Sequence, residues 1–338
     1  ASVLGTRRRV LKSEGSFNNQ WGLPMTLMAL GPEHEAAVLE MGTNQPGDIA
    51  DLVAIAAPTL AVVTSIALAH TEALGSLDGI VAEKSGLVRA IPATGRVVLN
   101  ADDPRVLGMA AAATAPVLPY GRAPSAAVRA VGPVGEDADG IAFTLAVGGA
   151  EHPVRLAFAG AHNVSNALAA AAVGHALGLA LPDIARGLAA ARPVKGRGIW
   201  REAGGVRILD DTYNANPVSV RAALDTLRAA SRGRRALVAF GDMLELGETA
   251  VEAHREIGRA IAAAGVGELI GVGRLAAEAV DAAREAGLAA ALHTTTFEDT
   301  VAHLVKRVAP GDVLLVKGSR GMRMERVVDA LVARLRRE

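Results

Sequence analysis

The stretch ILDDTYNANPVSVRAAL, Ile208 to Leu224, passes from an apolar run through a cluster of polar residues into a segment of helical character. The run that leads into it, VRIL, predicts a β-strand with Asp210 and Asp211 at its carboxyl end. Asn216 followed by Pro217 is a preferred N-cap followed by a favoured first helical residue. A strand joined to a helix by a polar turn is the repeating unit of a parallel α/β fold.

The turn in this stretch contains more polar residues than a helix N-cap requires. Capping explains Asn216, but it does not explain Asp211, Tyr213 or Asn214. Two adjacent acids at a strand end form turns about as often as they bind ligands. The added tyrosine and asparagine favour a polar ligand over a plain turn.

The first half of the chain alternates strand-like runs with alanine-rich helical stretches, which indicates parallel βαβ units. Candidate strands are Ala36–Glu40, Leu60–Ile66 and Gly95–Asn100, and a helix is expected from about Val164 to Leu179. The segment from Pro124 to Gly160 instead alternates polar and apolar residues between turn-rich pieces, which predicts antiparallel hairpins.

A second βα alternation follows a junction rich in proline, glycine and basic residues, ARPVKGRG, at residues 191–198. Its candidate strands are VRIL, RALVAF, ELIGVG and VLLVKG. We therefore predict an α/β fold in two domains, residues 1–194 and 195–338. The first combines a mostly parallel sheet with antiparallel hairpins, and the second is a further βα alternation.

The composition of the chain argues against several classes of function. The 338 residues carry 35 basic and 35 acidic side chains, so no net field steers the chain toward nucleic acid or anionic membrane. There is no cysteine, which removes disulfides and thiolate catalysis and suits a cytoplasmic setting. No apolar run reaches the ~18 to 20 residues of a membrane span, and the basic cluster after ASVLG reverses the order of a secretory signal.

Three residues in the first half stand near predicted strand ends or on a helix and could converge. Glu40 closes a strand, His70 follows another, and Lys84 sits on an apparent helix among apolar residues. Alone, each has an ordinary explanation: a surface acid, a packing histidine and a lysine that reaches solvent. Their positions on neighbouring βα units allow them to meet at one edge of a sheet.

A group of donors follows the last predicted strand, in VLLVKGSRGMRME. Lys317, Ser319 and Arg320 lie where glycines bend the chain, which favours binding of a phosphate or carboxylate over a solvated basic turn. The sequence has neither G-x-x-x-x-G-K-[ST] nor a G-x-G-x-x-G that joins a strand to a helix. A nicotinamide-dependent dehydrogenase is therefore a distant alternative.

Eight segments in order resemble the Mur ligase family. They are SEGSFNNQWGLPMTL, VLEMGTNQPGDIADL, AHTEALGSLDGIVAEKSGL, LNADDPRV, GAHNVSNALAA, DDTYNANPVSVRAAL, FGDMLELG and KGSRGMRMERVV, and they span nearly the whole chain. DDTYNANP, GDMLELG and KGSR are similar to the dipeptide-adding branch rather than to the diaminopimelate- or lysine-adding one, which stays an alternative.

The resemblance implies a central P-loop-type ATPase domain followed by a Rossmann-like α/β domain. It implies an ATP- and Mg²⁺-dependent ligase that joins D-alanyl-D-alanine to UDP-N-acetylmuramoyl-tripeptide through an acyl phosphate, in peptidoglycan precursor synthesis. It further implies a monomer in the cytoplasm, with no nucleic-acid partner and no membrane insertion.

The resemblance also implies roles for residues that match the family motifs. Glu40 and His70 would bind Mg²⁺, and Lys84 would do so once carbamylated, because the modification turns a cation into a carboxylate-like oxygen donor. Asn163 and Asn166 would contact adenine, and Arg197 and Asp211 would meet the phosphates and ribose, with Tyr213 and Asn214 nearby. Lys317, Ser319 and Arg320 would hold the dipeptide together with Asp242 and Glu245 of the DMLELG loop, and Asn18 and Asn19 would line the precursor side.

One departure concerns the segment before Ala1. The family carries a G-x-x-G-K-T-T loop ahead of the helix whose end resembles ASVLG, and a uridine-nucleotide domain before that, and neither is in these residues. Since one preorganised donor is worth ~2.7 to 4 kcal/mol in catalysis, we expect these 338 residues alone to be catalytically impaired. ATP- and dipeptide-dependent phosphate release would contradict this. The alternative function is a non-catalytic nucleotide- or peptide-binding module. Restoring an upstream P-loop segment separates the two, because activity would return only if the chain derives from a ligase.

Overall fold

The chain folds into two compact units, which the computed structural model describes over residues 1–66, 74–137 and 140–336. The first unit comprises Ala1–Gly135, Gly140–Ala157 and Ala161–Ala191. The second comprises Arg192–Glu338 together with the short segments Glu136–Asp139 and Phe158–Gly160. None of the described helices is long and apolar enough to cross a membrane.

The first unit contains a six-stranded sheet and a separate pair of parallel strands. Its strands are β1 Val10–Lys12, β2 Ala36–Val38, β3 Leu60–Val63, β4 Arg96–Asn100, β5 Val117–Gly121, β6 Val128–Asp137, β7 Gly140–Val147 and β8 Ala150–Leu156. Its described α-helices are α1 Gly22–Leu27, α2 Asp48–Ala56, α3 Leu77–Ala90, α4 Pro104–Gly108, α5 His162–Ala176 and α6 Leu181–Ala190. The large sheet runs in sequence order from β3 to β8, parallel from β3 to β6 and antiparallel between β7 and β8.

The predicted pattern of the first unit is confirmed, with local differences in the strands, since β3 ends at Val63 rather than Ile66 and β1 was not predicted. The antiparallel β7–β8 pair falls inside the segment predicted to form hairpins. The strand predicted over 36–40 ends at Val38, so Glu40 lies two residues beyond it. Strand β5 was not predicted because VLPYG contains a proline and a glycine, which are unfavourable inside strands.

The second unit is a six-stranded sheet covered by helices. Its strands are β9 Ile199–Ala203, β10 Val206–Asp211, β11 Ala236–Gly241, β12 Glu268–Val272, β13 Ala291–Thr294 and β14 Val313–Lys317. Its α-helices within the described residues are α7 Pro217–Ala230, α8 Ala250–Ala263, α9 Ala276–Glu285, α10 Phe297–Arg307 and α11 Glu325–Leu335. The order is β13-β12-β11-β14-β10-β9, and only the edge strand β9 pairs antiparallel to its neighbour.

Both faces of this second sheet are buried. Along β11, Val238 and Phe240 pack with α7, α8 and α9, whereas Leu237 and Ala239 pack with α10 and α11. A strand buried on both faces has no polar side, which explains why β11 reads as the continuous apolar run ALVAFG. The predicted Rossmann-like α/β fold is confirmed.

The order of the second sheet creates a crevice at the carboxyl end of β14. This strand lies between β10 and β11, although it follows both in the chain. Helices α7 and α8, after β10 and β11, cover one face, whereas α11, after β14, covers the other. Neighbouring strands whose connections leave toward opposite faces open the space where α/β sheets bind ligands. Asp211 and Lys317 end β10 and β14 at this edge, and Asp242 directly follows β11.

Helices α8 and α9 approach closely at a glycine. A Cβ atom on Gly258 would lie 2.1 Å from the carbonyl oxygen of Ala279. The contact involves backbone rather than a flexible side chain, so a substituent has nowhere to go without moving one helix. Gly258 thus fixes the spacing of two helices that cover the same face of the sheet.

We predict that Gly258→Ala lowers the free energy of unfolding of the second unit by about 3 kcal/mol, since overpacking a close contact costs this much. The matched control is Val251→Ala on the exposed side of α8, which should change it by less than about 0.5 kcal/mol. Urea unfolding followed by Trp200 fluorescence in a Trp21→Phe background reports on this unit. Equal midpoints for the two variants would contradict the close-packing argument.

Candidate active site

The corner after β10 is built from a strand end and a helix cap. The side chain of Asn216 accepts a hydrogen bond from the Ser219 N–H at 2.8 Å, and the Asn216 N–H donates to the Ser219 hydroxyl at 3.0 Å. This reciprocal capping box confirms the predicted N-cap. Asp210 is also structural, because its carboxylate accepts from the Thr212 hydroxyl at 2.7 Å and burial raises its pKa.

Asp211 and Lys317 form the central ion pair of the second unit. The ammonium Nζ donates to Asp211 Oδ2 at 2.5 Å and to the carbonyl oxygen of Asn214 at 2.9 Å. The side chain of Lys317 is 3% exposed. Burial lowers its pKa, and the Asp211 carboxylate acts in the opposite direction. The sequence predicted Lys317 to hold a substrate, and in the structure its ammonium holds the corner that contains Asp211 and Asn214.

Ser319 joins three loops at the same edge of the sheet. Its N–H donates to the carbonyl oxygen of Asp242 at 3.0 Å, and its hydroxyl accepts from the Leu244 N–H at 2.8 Å. The same hydroxyl donates to the carbonyl oxygen of Ala215 at 3.2 Å. Since these partners follow β11 and β10 while Ser319 follows β14, one buried serine fixes the relative positions of the three loops.

The loop after β11 contains one buried and one exposed predicted residue. Asp242 is buried, and its Oδ1 accepts from the Ala276 N–H at 2.7 Å, at the start of α9. Its neighbour Gly273 has φ +106°, and a Cβ there would lie 2.7 Å from the same oxygen. Asp242 therefore caps a helix. Glu245 is exposed and adopts a left-handed backbone, with φ +64°.

Two arginines pack on the ring of Tyr213. The guanidinium carbon of Arg197 lies 3.9 Å from the ring centroid, and that of Arg320 lies 5.8 Å from it. Arg320 also donates to Glu325 Oε1 at 3.1 Å, and its N–H donates to the Asn214 side chain at 3.4 Å. Cations over an aromatic face are stabilised by the ring quadrupole. Tyr213 thus keeps two exposed cations beside the Asp211–Lys317 pair.

In the first unit, Asn18 and Glu40 lie together. The Asn18 amide donates to Glu40 Oε1 at 3.1 Å, and the Glu40 N–H donates to the Ser13 hydroxyl at 3.1 Å. Gly42 approaches so closely that a Cβ would lie 2.9 Å from the Asn18 amide nitrogen. Asn19 has a different contact, since its side chain accepts the N–H of Gly22 at 2.8 Å, at the start of α1.

Lys84 lies on α3, which packs against β3 and β4. Its ammonium donates to the carbonyl oxygen of Ser65 at 3.2 Å. Burial lowers the pKa of Lys84, and the Asp103 carboxylate acts in the opposite direction. His70 lies outside the described residues, and the described part of the chain holds no group of three or more His, Cys, Asp or Glu suited to a metal. The convergence of Glu40, His70 and Lys84 stays a prediction.

Asn163 and Asn166 lie together in the first turns of α5. The Asn166 amide donates to Asn163 Oδ1 at 3.0 Å, and the Asn163 amide lies 3.2 Å from His162 Nε2. Asn166 is exposed. The two amides therefore present donors and acceptors at a helix N-terminus, which suits a heterocyclic base with mixed donor and acceptor edges.

One residue at this edge of the second sheet was missed by the sequence reasoning. His254 is fully buried on α8, and its Nε2 accepts from the Met243 N–H in the loop after β11. The available signal was its place on the apolar face with Ile257, Gly258 and Ile261, which predicts burial but not a loop contact.

Comparisons with known proteins decide the family. The Mur ligase middle domain model matches residues 1–174, and the Mur ligase, glutamate ligase domain model matches residues 196–320. The chain belongs to the Mur ligase family. These two matches confirm the resemblance that the sequence motifs predicted.

Named relatives place the Mur ligase near one member of the family. It is 37% identical over 98% of its length to the UDP-N-acetylmuramoyl-tripeptide–D-alanyl-D-alanine ligase of Mycobacterium bovis, of which it covers 69%. The crystal structure of MurF from Acinetobacter baumannii superposes with a TM-score of 0.89 at 31% identity, over 98% of this Mur ligase and 72% of that chain. The MurF ligase of Thermotoga maritima in complex with ADP gives 0.87 at 26% identity, over 99% and 76% of the two chains.

We predict that Lys317→Met in this Mur ligase lowers the free energy of unfolding of the second unit by about 3 kcal/mol, because Asp211 loses its buried partner. Adding Asp211→Asn should restore part of the loss, since no uncompensated charge remains. Lys306→Met on the exposed side of α10 is the control and should be near neutral. Urea titration with Trp200 fluorescence gives the values, and additive losses in the double variant would contradict the coupling.

Proposed function

We propose that this chain supplies the nucleotide- and substrate-binding parts of a ligase that joins D-alanyl-D-alanine to UDP-N-acetylmuramoyl-tripeptide. The single observation that carries the proposal is the edge of the second sheet, where Asp211, Lys317, Tyr213 and two exposed arginines meet. The Mycobacterium bovis relative, at 37% identity over 98% of this chain, supports the choice of dipeptide.

The chemistry begins with transfer of the γ-phosphoryl group of ATP to the terminal carboxylate of the tripeptide. A carboxylate oxygen bonds to phosphorus, the bond to the β-phosphate oxygen breaks, and ADP leaves. The dipeptide amine then attacks the acyl carbon, the carbon–oxygen bond to phosphate breaks, and the nitrogen loses a proton as the amide forms. Negative charge spreads over phosphate oxygens in the first step, so fixed positive groups lower its barrier.

Arg197 and Arg320 are the cations of the second unit that suit this charge. Both are exposed and both pack on Tyr213, so the ring reduces the freedom of two otherwise flexible side chains. Guanidinium groups match phosphate and carboxylate oxygens with paired donors. We assign them to the anionic parts of ATP or of the substrates.

Lys317, Ser319 and Asp242 act through their neighbours. Each is buried and bonded to protein groups. In our proposal the incoming dipeptide meets Arg320, Glu245 and the exposed part of the loop after β11, while these three residues fix where that loop lies. Positioning of this kind lowers the entropic cost of bringing two substrates together.

The residues of the first unit fit a magnesium ion in part. Glu40 offers a carboxylate oxygen that Asn18 orients, which is the donor type a hard divalent ion prefers. An ammonium at Lys84 would repel the ion, whereas a carbamate on the same nitrogen would attract it, so the fit requires the modification. Together with His70, these residues would hold the ion, which when bound supplies positive charge to the phosphate oxygens.

Asn163 and Asn166 are assigned to adenine. Their amides lie side by side at the start of α5 and can pair with ring nitrogens and the exocyclic amine. The ADP complex of the Thermotoga maritima relative supports nucleotide binding by this fold.

Because the chain's proposed substrates are nucleotides of the cell interior, we infer a cytoplasmic location, and we propose a monomer.

We predict that a chimera with the upstream segment of the Acinetobacter baumannii MurF placed before Ala1 joins D-alanyl-D-alanine to UDP-N-acetylmuramoyl-tripeptide when ATP and Mg²⁺ are present. The expected product gains the mass of the dipeptide less water, with one phosphate released per amide. Mass spectrometry and phosphate release measure the two. If the chimera instead adds lysine or diaminopimelate to a UDP-linked dipeptide acceptor, it belongs to the related ligase branch. If it binds the substrates but forms no product, it is a non-catalytic module.

We predict that Lys84 forms a carbamate. In ¹³C-bicarbonate, the wild-type chimera should show a carbamate carbonyl resonance that Lys84→Ala removes and that acid treatment discharges. Lys195→Ala is the control, because Lys195 is an exposed surface lysine. A resonance that persists in Lys84→Ala, or none in the wild type, would show that this lysine does not supply the proposed oxygen ligand.

A further inference from the structure

His254 lies beneath the loop after β11 with both ring nitrogens engaged. Its Nε2 accepts from the Met243 N–H at 2.9 Å, and its Nδ1 lies 2.6 Å from the carbonyl oxygen of Ala250. The backbone N–H can only donate and the carbonyl can only accept. The ring must therefore be neutral with its proton on Nδ1.

The same loop is also held by Ser319. The Ser319 N–H donates to the Asp242 carbonyl, and its hydroxyl accepts from the Leu244 N–H. The backbone groups of three consecutive residues thus have assigned partners, two on Ser319 and one on His254. The side chains of Met243 and Leu246 are buried, whereas those of Leu244 and Glu245 are exposed. What the loop presents to solvent depends on these anchors.

We propose that His254 is a positioning residue: its neutral ring fixes the loop Asp242–Leu246 in the shape that receives the incoming dipeptide, and protonation of the ring releases that loop. The proposal rests on the proposed function. His254 lies beneath the loop and touches no substrate, so its effect passes through the Met243 N–H.

Protonation has a defined structural consequence. A proton on Nε2 would point at the Met243 N–H, so one hydrogen bond is lost and two donors face each other. The ring is also fully buried against Phe240, with ring centroids 5.8 Å apart, and a charge there has little solvent to stabilise it.

The charged groups around the ring act in both directions. Burial lowers the pKa of His254 from the usual 6.5, and the Asp242 and Glu278 carboxylates raise it by a smaller amount. Glu278 is itself paired with Arg255 at 3.4 Å, which weakens its influence. The unfolded chain therefore takes up this proton at higher pH than the folded one. Loop order is complete above pH 6.5 and is lost as the pH falls toward the lowered pKa of the folded protein.

Two substitutions of His254 separate the loss of its hydrogen-bond acceptor from the loss of its titratable charge. In His254→Gln, the amide oxygen can take the place of Nε2 without titrating. In His254→Leu, the volume remains and the acceptor is absent. The control is His303→Gln, because His303 pairs with Glu268 at the amino end of β12, away from the loop.

The test measures amide exchange and steady-state kinetics. In the 338-residue chain, His254→Leu should lower the protection factor of the Met243 amide about tenfold, the effect of losing a buried hydrogen bond, while His254→Gln and His303→Gln keep it. In the chimera, His254→Leu should raise KM for D-alanyl-D-alanine about tenfold and leave KM for the UDP-substrate unchanged. The acid limb of kcat/KM for the dipeptide should weaken in His254→Gln and persist in His303→Gln.

The outcomes distinguish the two proposals. Unchanged Met243 protection in His254→Leu overturns the anchoring, and an unchanged dipeptide KM or an unaltered acid limb overturns the link to substrate. If the unsubstituted chimera forms no amide, the proposed function fails. In that case the exchange data still decide whether His254 holds the loop, and the assignment of the dipeptide to the loop is withdrawn.

Discussion

The ion pair between Lys317 and Asp211 is the contact on which the second unit's candidate site depends. It joins the ends of β14 and β10, strands that are neighbours in the sheet but about a hundred residues apart in the chain. Burying an ammonium is unfavourable unless its hydrogen-bonding groups are matched. Here the carboxylate and the Asn214 carbonyl provide that match, so the polar corner is held in one conformation.

A second consequence is a division between residues that hold loops and residues that face solvent. Lys317, Ser319 and Asp242 are buried and bonded within the protein, whereas Arg197, Arg320 and Glu245 are exposed. A buried set with fixed partners keeps the exposed set in place, as preorganised binding requires. The motifs alone assign all six to ligands, and burial separates them.

The sequence predicted much of the fold, and its limits have physical causes. The βα alternation, the Asn216 cap and the family follow from local patterns and motifs. Strand β13 was missed because ALHT is short, and the contacts of Lys317 were missed because they need β14 to insert between β10 and β11. Sheet order is a long-range property that no local pattern encodes. His254 illustrates the same limit, since its apolar face predicts burial and its partner lies on another loop.

Two anchors at this edge of the second sheet depend on opposite conditions: the ion pair needs charged groups, and the histidine needs an uncharged ring. Lys317 and Asp211 need opposite charges to stay matched, whereas His254 needs to stay neutral to accept the Met243 N–H. The charged pair holds the corner after β10, the neutral ring holds the loop after β11, and Ser319 joins the two. Because the ring of His254 must stay neutral to accept the Met243 N–H, acid conditions should loosen the loop after β11. Under the proposed function, binding of a dipeptide that uses this loop would then weaken as the pH falls below 6.5.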